Sequence, residues 1–97
     1  MSEPTTASAI VTTEHASRYL QQLAKHWAHK FEVEFTPTHA EIKNDERSVI
    51  MDATPSELRV NISTIDPATL EKWEEVVAAH VVRFGFREEL AFNWTRG

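Results

Sequence analysis

Apolar side chains recur every three or four positions through Ala16, Tyr19, Leu20, Leu23, Ala24, Trp27, Ala28 and Phe31. At about 3.6 residues per turn these positions form one stripe. The pattern predicts a helix from a cap at Thr12 or Thr13 to about Lys30. Before it, "ASAIVTT" (7–13) has the β-branched content of a short strand. After it the period changes to two. "FEVEF" alternates Phe31, Val33 and Phe35 with Glu32 and Glu34, as in a half-exposed strand. "HAEIK", "RSVIMDA" and "ELRVNIS" follow, with turns at Asn44-Asp45 and Thr54-Pro55-Ser56. Connections this short favour an antiparallel meander.

The second helical pattern starts with Asp66 as cap and Pro67 in the first turn. It runs through Leu70, Trp73, Val77, Val81 and Phe84 to Gly85. The tail alternates Leu90, Phe92 and Trp94 and is expected to dock on the body. The order β-α-β-β-β-β-α predicts an α+β domain, an antiparallel sheet of four to five strands with two helices on one face. Residues 1–6 read as a flexible end and 7–97 as a single domain.

Composition narrows the function. The chain has 97 residues, 41% hydrophobic and 26% charged, which suits an ordinary globule. Without cysteine, disulfides, thiolate metal sites and cysteine nucleophiles are excluded. A net charge of −5 argues against nucleic-acid binding. No apolar run approaches the ~20 residues that span a bilayer. The start lacks a signal-peptide pattern, so a cytoplasmic location is expected.

The candidate chemistry lies in "LAKHWAHKF" (23–31) and its counterpart on the second helix. His26 stands at the edge of the first apolar stripe, and His29 points further toward solvent. Their spacing of three permits neighbouring rings, as for two metal-ligating imidazoles, though a metal needs further ligands. His80 falls inside the second helix's apolar arc and needs a hydrogen-bond partner there. If the helices pack side by side, His26 and His80 can meet. The metal candidates are therefore His26, His29 and His80; packing and surface roles account for the same residues. Residues 15–30 carry Arg18, Lys25 and Lys30 and no acid, while Arg83 and Arg87 follow the second helix. Such a basic surface suits an anionic small ligand or an acidic partner. No phosphate loop, nucleophile elbow or distinct carboxylate pair accompanies it, so no catalytic residue is assigned, catalysis is not the favoured reading, and no cofactor is required.

"HASRYLQQLAKHWAHKFEVEF" together with "VVAAHVVRFGFREELAFNW" resembles the bacterial family catalogued as domain of unknown function 2218, from about residue 8 to 95. The resemblance rests on the Tyr-Leu pair, His26-Trp27, His80 with Arg83-Phe84, and Trp94. It implies a fold similar to the TATA-binding-protein-like domain that closes the phosphohexomutases. The family has no established activity. Its members are often encoded beside siderophore-interacting flavoproteins that reduce ferric complexes, which implies a supporting part in iron handling. The expected function is a non-catalytic binding module for iron or a ferric siderophore. Its ligand-binding candidates are His26, Trp27, His80, Arg83, Trp94, Lys25 and Lys30. Trp27 and Trp94 would serve as stacking walls. The alternative is a protein-interaction or structural module in which the histidine and tryptophan cluster only packs. The expected partners are a siderophore-interacting flavin reductase or a small anion, with the chain a monomer or homodimer.

Overall fold

The computed structural model describes residues 5–85 and 88–96. In chain order it contains β1 (Thr5–Thr12), α1 (Ala16–Trp27), β2 (Glu32–Phe35), β3 (His39–Lys43), β4 (Arg47–Ala53) and β5 (Glu57–Thr64). A short 3-10 turn (Pro67–Thr69), α2 (Leu70–Phe84) and β6 (Thr95–Arg96) complete it. The strands form one antiparallel sheet in the order β2-β3-β4-β5-β1-β6. The architecture is α+β as expected, but with six strands rather than four to five. The sixth is the two-residue β6, whose Arg96 and Thr95 pair with Ala7 and Ser8. No apolar alternation marks so short a strand, which explains why the pattern does not reveal it.

Alternation divides the sheet into two faces. Ala7, Ala9 and Val11 of β1, Leu58, Val60 and Ile62 of β5, Val49 and Met51 of β4, and Ala40 and Ile42 of β3 are buried beneath the helices. The small alanines leave room for close helix approach. On the opposite face stand Ser8, Arg59, Asn61, Ser63, Ser48, Asp52, His39, Glu41 and Glu34, with Ile10 and Ile50 as exposed apolar exceptions. A face this polar requires no covering layer.

Helix α1 buries Tyr19, Leu20, Leu23, Ala24 and Trp27 against this core. It is shorter at both ends than predicted. Thr13 does not cap it; its buried hydroxyl accepts from the His15 amide at 3.0 Å and donates to Glu88. The amides of Lys30 and Phe31 both donate to the Trp27 carbonyl at 3.0 Å, turning the chain into β2. At α2 the start signal acts one turn early. Asp66 accepts from the Ala68 amide at 3.0 Å, but it caps the 3-10 turn, and the α-helix begins at Leu70. Gly85 ends α2, its amide donating to the Val81 carbonyl at 3.0 Å. No described helix is long and apolar enough to cross a membrane.

The tail docks as expected, with Leu90, Phe92 and Trp94 partly buried against the core. Two polar clasps hold it. Glu88 accepts hydrogen bonds from the hydroxyls of Tyr19 and Thr13. Arg96 donates to both oxygens of Glu74, at 2.9 and 3.1 Å. Glu74 is thereby buried, whereas its neighbours Glu71 and Glu75 on the same helix are exposed. Strand β1 begins at Thr5, inside the segment expected to be a loose end. Residues 1–4 lie outside the described residues.

Candidate functional site

The helix pair brings His26 and His80 together, with ring centroids 5.3 Å apart. Trp27 lies beside them, 4.9 Å from the His80 ring and stacked on Trp73 at 5.3 Å. Phe31 extends the stack, 5.9 Å from Trp73. The Trp73 indole N–H donates to the Ser48 carbonyl at 3.2 Å, which ties α2, lying over β5 and β1, to the neighbouring β4. On the same strand, the Arg47 guanidinium sits 5.0 Å from the Trp73 ring centre, within cation–π range.

These side chains open onto a hollow of about 430 Å3 lined by His26, Trp27, His29, Lys30, Phe31, Arg47, Trp73, Val76 and His80. No carboxylate is among the described residues lining it. Lys30 has no ion-pair partner among the described residues, and Arg47 has only the exposed Glu46, at 3.9 Å. The hollow is therefore cationic within an acidic chain.

His80 has a defined tautomer. Its Nδ1 lies 2.7 Å from the Val76 carbonyl, and a carbonyl can only accept, so Nδ1 carries the proton. Nε2 has no partner among the described residues. No buried side-chain nitrogen or oxygen among them lacks a partner, so Nε2 is reachable from solvent. In the neutral ring that atom is a hydrogen-bond acceptor.

The sequence candidates divide between this hollow and the surrounding surface. His26, Trp27, His80 and Lys30 line it; Lys25, Arg83 and Trp94 do not. Lys25 and Arg83 point into solvent, and Trp94 stacks on Phe92 at 5.6 Å. Trp27 cannot serve as a stacking wall as expected, because it is 4% exposed and its face is taken by Trp73. His29 lines the hollow with its ring 6.4 Å from that of His26. Among the described residues, no three His, Asp or Glu side chains converge to hold a metal ion. Arg87 lies outside the described residues. Arg47, Trp73 and Val76 were not among the candidates. Arg47 enters only through the register of β4 against β3 and β5, which carries no local sequence signal.

A larger hollow of about 520 Å3 lies between the start of α1 and the end of α2, lined by His15, Arg18, Tyr19, Gln22, Phe84, Gly85 and Glu88. Two of its polar groups, Tyr19 and Glu88, are already paired with each other. The Tyr19 hydroxyl donates to Glu88, and this bond is the main reason the Glu88 carboxyl titrates below its ordinary value. Burial, followed by the same bond, pushes the Tyr19 phenol up. On the far face of the sheet His39 is held between Asp52 at Nδ1, 2.7 Å, and Glu41 at Nε2, 3.0 Å. The bond to Asp52, then that to Glu41, raises its pKa above the ordinary imidazole value.

Residues 8–95 match the family model described as an uncharacterised protein conserved in bacteria, DUF2218. The NMR structure of PA4090 from Pseudomonas aeruginosa is similar over 94% of this chain and 95% of that one. The two share 34% sequence identity, with a TM-score of 0.79. No curated protein matches the chain.

Proposed function

The chain belongs to the DUF2218 family of uncharacterised bacterial proteins, and we propose that it is a binding module, not itself catalytic, for a small anionic ligand. The observation that carries this reading is the carboxylate-free hollow between the helices, where Lys30, Arg47, His26, His29 and His80 converge. An anion there gains charge-assisted hydrogen bonds. A bare divalent cation would meet Lys30 and Arg47 with no carboxylate to offset them. This favours a metal delivered inside an anionic chelate, and a ferric siderophore is the candidate that the family resemblance implies. A siderophore-interacting flavin reductase would then be the partner to which the module presents its load.

An amide-correlation NMR titration with gallium-loaded siderophores tests this, gallium standing in for ferric iron without its paramagnetism. Saturable shifts centred on His26, Lys30, Arg47 and His80 are expected, with none from zinc alone. An unchanged spectrum would overturn the reading. The exposed basic face of Lys25, His29 and Arg83 would then be tested as a contact for an acidic partner protein.

A further inference from the structure

The chemistry of the ligand can be drawn more narrowly, on the premise that the hollow between the helices binds an anion. The neutral His80 ring is asymmetric: Nδ1–H is committed to the Val76 carbonyl, which leaves Nε2 as an acceptor open to solvent. The other polar side chains lining the hollow are the imidazoles His26 and His29, the cations Lys30 and Arg47, and Trp27 with its donor indole N–H, the Trp73 N–H being held by Ser48. Lys30 and Arg47 can only donate. A ligand made solely of carboxylate oxygens would satisfy the cations but place an acceptor against the His80 lone pair. A ligand with both an ionised oxygen and an O–H satisfies both.

Stacking contributes little to the choice. Trp27 and Trp73 are 4% and 2% exposed, their faces taken by each other, Phe31 and Arg47. Recognition by the tryptophan faces is therefore closed off, and only the half-buried Phe31 offers an aromatic edge, so polar contacts carry most of the specificity. We propose that the hollow selects a hydroxycarboxylate: carboxylate oxygens toward Lys30 and Arg47, and a hydroxyl donating to His80 Nε2.

Malate and succinate test this directly, since they are dianions of the same chain length differing by one hydroxyl. Both are titrated into the full chain at pH 8 and followed by NMR shifts of the His80 ring and the Lys30 amide. Malate is expected to bind about three- to tenfold tighter than succinate, as one added hydrogen bond provides. His80→Ala should reduce that ratio to about one, read on the Lys30 amide. Equal binding of the two acids to the unsubstituted chain would overturn the proposal, and the comparison stands even if the variant fails to fold. So would the absence of binding by either acid. A gallium siderophore that still shifted the site would then show that the anion-binding reading survives without the hydroxyl rule.

Discussion

At the scale of single residues, the tightest constraint is on Gly85. Its φ of −100° is open to any residue, so conformation does not demand glycine there. Space does. A Cβ at this position would stand 2.6 Å from Leu90 Cδ1, 2.8 Å from the Tyr19 hydroxyl oxygen and 2.9 Å from Tyr19 Cζ. Leu90 can rotate away, but the Tyr19 ring is buried and its hydroxyl is held by Glu88. Gly85→Ala is therefore expected to destabilise by about 1–3 kcal/mol, the usual cost of overpacking, measured as a lower urea midpoint at unchanged slope. Unchanged stability would mean that α2 and the tail are free to separate. The sequence places Gly85 correctly at the helix end, but for its role as a stop signal. The need for space comes from Tyr19 on the other helix, which no local pattern conveys.

At the scale of elements, helices and strands follow from periodicity because each buries one face, and that face is written at period 3.6 or 2. What sets their ends is less legible. Thr13 has the chemistry of a helix cap, yet it spends its hydroxyl on Glu88, a carboxylate far along the chain. Glu74 reads as one more acid on a solvated helix until Arg96 reaches it from the tail. The candidate site divides in the same way. His26, Trp27 and His80 are legible because helix geometry fixes their faces, whereas Arg47 requires strand register. The Glu74–Arg96 clasp makes its own prediction. Glu74 is buried, so Arg96→Ala should leave an unpaired buried carboxylate, lower the melting temperature and speed amide exchange at Thr95 and Ser8. Replacing both partners, as Glu74→Met with Arg96→Met, should cost less than Arg96→Ala alone, since no charge is then stranded. The reverse order would mean that Glu74 reaches water without its partner.

At the scale of the whole molecule, two titrating clusters lie on opposite sides of the sheet and act in opposite pH directions. The Glu88 carboxyl is depressed chiefly by the Tyr19 hydroxyl. Its contribution to stability is present above its ordinary value of 4.5 and is lost as pH falls through the folded value. The His39 imidazole is raised, chiefly by Asp52. Its contribution is complete below the ordinary 6.5 and is lost as pH rises through the folded value. Both are therefore in force between those two limits, and stability measured by urea unfolding should fall away on each side. Tyr19→Phe should cost about 1.5–3 kcal/mol at pH 5.5, the worth of a hydrogen bond to a charged group, with the deficit narrowing as Glu88 is protonated. His39→Gln should show the opposite profile: a deficit at pH 5.5 that narrows toward pH 9, while the acid limb keeps its shape. Among the described residues the clusters share no partner and the sheet separates them, so the double variant should equal the sum of the single effects to within about 0.5 kcal/mol. A larger coupling would mean that the sheet transmits strain between its two faces, and the polar face could then no longer be treated as independent of the helix pair that carries the binding hollow.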